Sequence, residues 1–160
     1  MKQACIIIMG LLISLNVYSN ETVINFRNHY YGVCLNETSI HEFDTYLELY
    51  KESNNVTVKG YQAVIWFLWA DFYINPIKKW NCFNKGVIKL DQLIESYPDN
   101  IELRFLRLTI QNNAPIFLGY NQKVNNDKQF IYSGLNRVSD MDLKERITYY
   151  LRKNNMAKIK

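Results

Sequence analysis

The sequence predicts an all-α protein, an irregular helical bundle or a stack of helical hairpins with five to seven helices. Three observations carry that expectation. From Pro76 onward Ile77, Trp80, Phe83, Val87, Leu90, Ile94 and Tyr97 recur at threes and fours, the spacing of one face of a long helix. Two periodic runs begin with residues in capping-box order, Ser39 with Glu42 and Asp99 with Glu102. The links between runs are short clusters of Asn, Pro and Asp, which join neighbouring helices as antiparallel hairpins.

In chain order, Lys2 is followed by the apolar run from Ala4 to Ile13, with polar residues returning at Ser14 and Asn16. A basic start and a short apolar run have the layout of a secretory signal, and the run is shorter than the roughly 20 residues a spanning helix needs. Val17-Tyr18-Ser19 suits signal peptidase, so residues 1–19 read as a signal peptide and Asn20 as the mature start. The alternative is an uncleaved anchor holding the same domain at the membrane. Residues 20–38 read as an irregular N-terminal arm, because Asn25, Asn28, Gly32 and Asn36 interrupt the apolar residues.

A helical domain is expected over residues 39–151. Ser39 starts a helix whose face is Phe43, Tyr46, Leu47 and Tyr50, and Ser53-Asn54-Asn55 ends it. Tyr61 to Tyr73 is apolar nearly all round, which places that helix at the centre of a bundle. Asn75-Pro76 separates it from the long amphipathic helix, since proline suits a first helical turn and disfavours helix in the residue before it. After Pro98-Asp99-Asn100 comes a helix with Leu103, Leu106 and Ile110 on one face and Phe105 and Leu108 beside it. Ile116 to Tyr120 reads as a short turn against the core, and Val124, Asp127, Phe130 and Ile131 as a brief helix ending near Gly134. Ser139 is the expected cap of a last helix with the face Leu143, Ile147, Tyr150 and Leu151, and residues 152–160 form a basic C-terminal tail.

Composition narrows the function classes. Cleavage removes Lys2 and no acid, leaving 18 basic against 15 acidic residues, a charge of +3 that gives no reason to expect a nucleic-acid partner. Cys34 and Cys82 survive cleavage; in an oxidising compartment they either pair, closing a long loop that restrains the unfolded chain by up to ~4 kcal/mol, or remain two thiols. With them only His29 and His41 are available as soft ligands, so no metal site is expected. His41, Glu42 and Asp44 sit in a capped first turn, where acids are favoured by the helix dipole. No glycine-rich phosphate loop or Gly-x-Ser-x-Gly nucleophile motif occurs, and no cofactor is expected.

The candidate binding residues are Arg104, Arg107 and Gln111, which share a helix face and offer guanidinium forks to carboxylates or other anions. The structural alternative pairs these arginines with acids of neighbouring helices, Asp71, Asp91 or Glu95. Asp71 sits in the most apolar helix and reads as a buried ion-pair acid, as a helix-end residue with access to water or, buried and unpaired, as a general acid or base with a raised pKa. Tyr61, Trp66, Trp69, Tyr73, Trp80 and Tyr120 either fill the core or line an apolar pocket.

Gly86, Leu90, Leu93 and Pro98 resemble the second helix of a tetratricopeptide repeat, which implies a helical-hairpin stack with a binding face. The Trp-x-x-Leu-Gly-x-x-Tyr run of the first repeat helix is absent. Asn75-Pro76-Ile77-Lys78-Lys79-Trp80, Glu102-Leu103-Arg104-Phe105-Leu106-Arg107 and Leu118-Gly119-Tyr120 also resemble small exported proteins of the Bacteroidota, a likeness that implies export and no particular activity. The expected function is therefore a non-enzymatic exported helical protein acting by protein or peptide binding in the cell envelope. The alternative from another class is an envelope hydrolase with Asp71 as general acid/base. A third is a structural role at the membrane surface through the basic tail, with no span left after cleavage.

Overall fold

The computed structural model describes residues 21–154. The expected signal peptide over 1–19, its cleavage after Ser19 and residues 155–160 of the basic tail lie outside the described residues. Every regular element among the described residues is helical, as the sequence predicts. Helix α1 covers residues 21–34. It is followed by α2 (Ile40–Glu48), α3 (Val56–Phe72), α4 (Pro76–Ser96), α5 (Ile101–Asn113), α6 (Val124–Gly134) and α7 (Met141–Lys153), with 3-10 turns at Ile116–Leu118 and Leu135–Arg137. The span expected as one helical domain divides inside α3, between Tyr61 and Gln62, into two compact units. No helix among the described residues is long and apolar enough to cross a membrane.

The first unit corrects the reading of residues 20–38 as an irregular arm. Residues 21–34 are helical because Phe26 and Tyr30, one turn apart, fall on the buried side, while Asn25 and Asn28 lie on the exposed side. The asparagines interrupt the sequence without interrupting the face. The helix stops where Asn36 turns left-handed (φ 60°) and the amides of Glu37 and Thr38 both donate to the Gly32 carbonyl, at 2.8 and 3.1 Å. A Cβ at Gly32 would collide with the Thr38 hydroxyl, so the close return of the chain needs a glycine there.

Ser39 caps α2 as expected, accepting from the His41 amide at 3.2 Å. The unit is held by rings: Phe26 is fully buried and meets Tyr46 at 4.9 Å, Tyr50 at 5.0 Å and Tyr61 at 6.0 Å between centroids. Helix α3 begins at Val56 rather than at Tyr61, because the Asn55 side chain accepts from the amides of Thr57 (2.9 Å) and Val58 (3.3 Å).

In the second unit Asn75 caps α4 through the amides of Ile77 and Lys78, with Pro76 in the first turn. Its predicted face is buried at Phe83, Leu90 and Ile94 but open to solvent at Ile77 and Trp80. The caps of α5 and α7 each fall one residue beyond the predicted position, at Asn100 instead of Asp99 and at Asp140 instead of Ser139. The side chain that meets the third helical amide defines the cap, Leu103 N at 3.0 Å and Leu143 N at 3.1 Å. Arg152 and Lys153, expected in the tail, form the last turn of α7.

Helix α5 packs against both α4 and α6, and its Phe105 meets Tyr150 of α7 edge-on at 5.4 Å. It buries Leu103, Phe105, Leu106 and Leu108 together with the polar Glu102, Arg107, Thr109 and Gln111. Helix α3 is also buried within this unit, at Ala63, Val64, Ile65, Phe67 and Ala70, as its nearly all-apolar run predicts. The end of α3 opens to solvent, with Asp71 and Phe72 both exposed.

Gly86 marks a close approach of α4 to α3, since a Cβ there would lie 2.7 Å from a ring carbon of Phe67. In an open helix Gly→Ala stabilises by up to about 1 kcal/mol. Here Gly86→Ala is expected to destabilise by about 1–3 kcal/mol, as overpacking does, in urea unfolding. A gain in stability would contradict the packing described.

Candidate functional site

The two arginines of α5 converge on one carboxylate of α6. Arg107 grips Asp127 with a two-pronged fork, Nε donating to Oδ2 at 2.7 Å and Nη2 to Oδ1 at 2.7 Å. Its third nitrogen, Nη1, donates to Asp91 Oδ1 on α4 at 2.8 Å. Arg104, one turn earlier, donates from Nη1 to Asp127 Oδ1 at 3.1 Å and from Nε to the Pro98 carbonyl at 2.8 Å. Its guanidinium also lies over the Phe130 ring, 4.2 Å from the centroid. Tyr120 completes the group by donating its hydroxyl to Asp91 Oδ1 at 3.3 Å. Two guanidinium charges thus face two carboxylates.

Asp127 is 0% and Arg107 3% exposed. At that depth an unpaired charge costs several kcal/mol, and only complete hydrogen bonding offsets the desolvation. Burial alone lowers the pKa of Arg107, but the hydrogen bonds and charges of Asp127 and Asp91 outweigh it and push the value up, so the guanidinium stays protonated. Burial and the negative charge of Asp91 push the Tyr120 phenol up as well.

This geometry corrects the reading of Arg104, Arg107 and Gln111 as a binding strip. Arg107 and Gln111 are buried, because α5 is covered by α4 and α6, and only Arg104 keeps partial access to solvent. Gln111 Oε1 is buried and has no hydrogen-bond partner among the described residues. Of the acids weighed as structural partners, Asp91 is one, while Asp71 and Glu95 are exposed. Asp71 stands at the solvent end of α3, the helix-end position weighed for it rather than a buried ion pair, and its backbone carbonyl accepts from Lys79 Nζ at 3.4 Å.

Sequence reasoning missed Asp127 as the main partner, although a signal exists. Asp127 falls in register with Val124, Phe130 and Ile131, so an acid occupies the inward face of a short helix. Cys34 is exposed in the first unit, and Cys82 is half-buried in the second. Among the described residues no group of three or more His, Cys, Asp or Glu is arranged to hold a metal ion; His41, Glu42 and Asp44 remain in the first turns of α2.

The aromatics considered for a pocket are engaged separately. Tyr120 packs on Phe67 and Phe83, at 5.9 and 5.7 Å, and Trp66 lies under the Lys85 ammonium, 3.4 Å from the ring centroid. Trp69 and Tyr73 stack on one another at 5.5 Å, and Tyr61 belongs to the cluster around Phe26.

A cleft of about 560 Å³ opens elsewhere in the second unit, lined by Asp99, Ile101, Phe130, Arg137, Val138 and Asp140. Arg104 forms its support, tied at once to Pro98, beside Asp99, and to Phe130. These lining residues come from the α4–α5 link at Asp99 and Ile101, from Phe130 within α6 and from the stretch between α6 and α7, so no helical period groups them.

Two stability measurements test the network. Asp127→Asn should cost about 3–5 kcal/mol, since it strands two arginines in a buried site. Asp91→Asn, at a partly exposed carboxylate, should cost roughly 1–2 kcal/mol, so the order of the two losses in urea unfolding is the critical observation. The second measurement concerns pH. The folded Tyr120 phenol titrates above its usual value of 10.0, so the unfolded chain loses that proton first. Its contribution to stability is intact below about pH 10 and is lost as pH rises from there toward the folded value. Tyr120→Phe should therefore flatten the alkaline fall in unfolding free energy, and equal falls in both proteins would contradict the assignment.

No family model matches the chain, and comparison with curated proteins and with solved structures returned no match.

Proposed function

We propose that this protein is a non-enzymatic, exported helical binding protein that takes a peptide or a segment of another envelope protein in the cleft supported by Arg104. The observation that carries the proposal is the contrast between two parts of the second unit. The buried charges close on one another, Arg107 with Asp127 and Asp91, which suits a scaffold. The cleft leaves its chemistry open, with an apolar floor of Ile101, Phe130 and Val138 and charges of both signs at Asp99 and Arg137.

About 560 Å³ is the size of a cavity that holds a few side chains. Apolar floors with a few placed polar groups favour ligands carrying both, and a peptide segment does so. In this reading Arg104 is a positioning residue: by holding the Pro98 carbonyl, beside Asp99, and the Phe130 ring it fixes the α4–α5 link against the floor of the cleft. The likeness of Gly86, Leu90, Leu93 and Pro98 to a tetratricopeptide helix supports the same class of function, because helical hairpins of that kind present peptide-binding faces.

The test is selection from a displayed random-peptide library with the full chain and with Arg137→Glu, Val138→Asp, a pair of changes at the cleft whose helicity is checked by circular dichroism. The wild type should enrich a defined motif, and the variant should bind the selected peptides on the order of tenfold more weakly or worse, the loss expected of one misplaced charge pair. Equal binding by both proteins, or no enrichment by the wild type, would contradict the proposal.

A further inference from the structure

The turn between α3 and α4 exposes more apolar surface than folding of the second unit explains. Phe72 is 56%, Ile74 95%, Ile77 69% and Trp80 52% exposed, all within one stretch of the chain. Large apolar residues gathered at one place on a surface mark a site of contact rather than chance exposure. Beneath them lies an aromatic base: Trp69 meets Phe72 edge-on at 5.3 Å and stacks on Tyr73 at 5.5 Å.

Charge at the same place identifies the occupant. Residues 62–90 contain Lys78, Lys79, Lys85 and Lys89 against the single acid Asp71, a net charge of +3 in a chain whose total is +4. Lys78 lies over the Tyr73 ring with Nζ 5.3 Å from the centroid, and Lys79 Nζ donates to the Asp71 carbonyl at the foot of the turn. Lys85 lies over Trp66. Lysine stems laid along aromatic surface, with exposed ammonium groups beside protruding Ile and Phe, form the arrangement that partitions into the headgroup layer of a bilayer.

We infer that the α3–α4 turn is a shallow membrane anchor that docks on anionic lipid, Phe72, Ile74 and Ile77 entering below the headgroups while Lys78 and Lys79 meet their phosphates. A protein partner fits less well, because lysine is depleted from the cores of protein interfaces. A second copy of the chain would bring two lysine clusters together, and like charges oppose that contact. Docking on the surface requires no spanning helix.

Co-sedimentation of the full chain with vesicles tests the anchor, comparing phosphatidylcholine alone with phosphatidylcholine containing phosphatidylglycerol. Two double variants at exposed positions, Ile74→Asp with Ile77→Asp and Lys78→Glu with Lys79→Glu, are compared with the wild type after circular dichroism has shown the same helicity and melting. The wild type should prefer the anionic vesicles, and each double variant should weaken that binding on the order of tenfold or more. Undiminished binding by the variants would overturn the inference by assigning membrane affinity to the apolar run at residues 4–13. Equal binding to both vesicle types would overturn it by removing the role of the lysines. Absence of vesicle binding, together with self-association that the Ile74→Asp, Ile77→Asp variant loses in sedimentation velocity, would overturn it in favour of a second copy as the occupant.

Discussion

The fork between Arg107 and Asp127 is the interaction on which the arrangement of α4, α5 and α6 depends. Hydrophobic contacts among Leu90, Leu103, Leu106 and Ile131 supply burial, but such contacts tolerate small slides of one helix along another. A bidentate ion pair does not, because guanidinium and carboxylate match in one plane and at one separation. Asp91 adds a third helix to the same guanidinium, so a shift of α4 or α6 breaks a charge-assisted hydrogen bond. Replacing such a group by apolar side chains often costs little net stability, whereas removing one partner costs much. The network is accordingly a device of register more than of net stability.

The surroundings of the cleft follow from that constraint. Arg104 shares Asp127 with Arg107 and uses its remaining groups on Pro98 and Phe130, so the walls of the cleft are referred to the same buried carboxylate. The first unit relies on a different principle: the rings of Phe26, Tyr46, Tyr50 and Tyr61 fill its interior, and Gly32 lets the chain return closely on itself. Aromatic rings bury much area with few rotatable bonds, which suits a small core formed by two helices and the start of a third.

Helix class and most boundaries were legible because they rest on local rules. The 3.6-residue period from Ile77 to Ile94, the cap at Ser39 and the place of Pro76 in a first turn need no tertiary information. Helix α1 was not legible as long as Asn25 and Asn28 were counted as breaks; asparagine on the solvent side of a helix costs only its modest propensity. The site was half legible. Arg107 with Asp91 follows from the rule that charges near a core need partners, but the choice of Asp127 over Asp71 or Glu95 depends on which faces meet across a connection with an irregular turn. The spacing of Asp127 turns it inward without naming the helix it meets. The exposure of Ile77 and Trp80 is likewise invisible to periodicity, which identifies an apolar face without saying how far its neighbour extends.

A double-mutant cycle on Arg107 and Asp127, read by urea unfolding, tests the central claim most directly. Arg107→Met and Asp127→Leu should each be strongly destabilising alone, while the double variant, which leaves neither charge stranded between those two positions, should recover a large part of the loss, giving a coupling energy of about 2–3 kcal/mol. Two small losses that simply add would contradict the claim and show that apolar packing alone sets the register of the three helices.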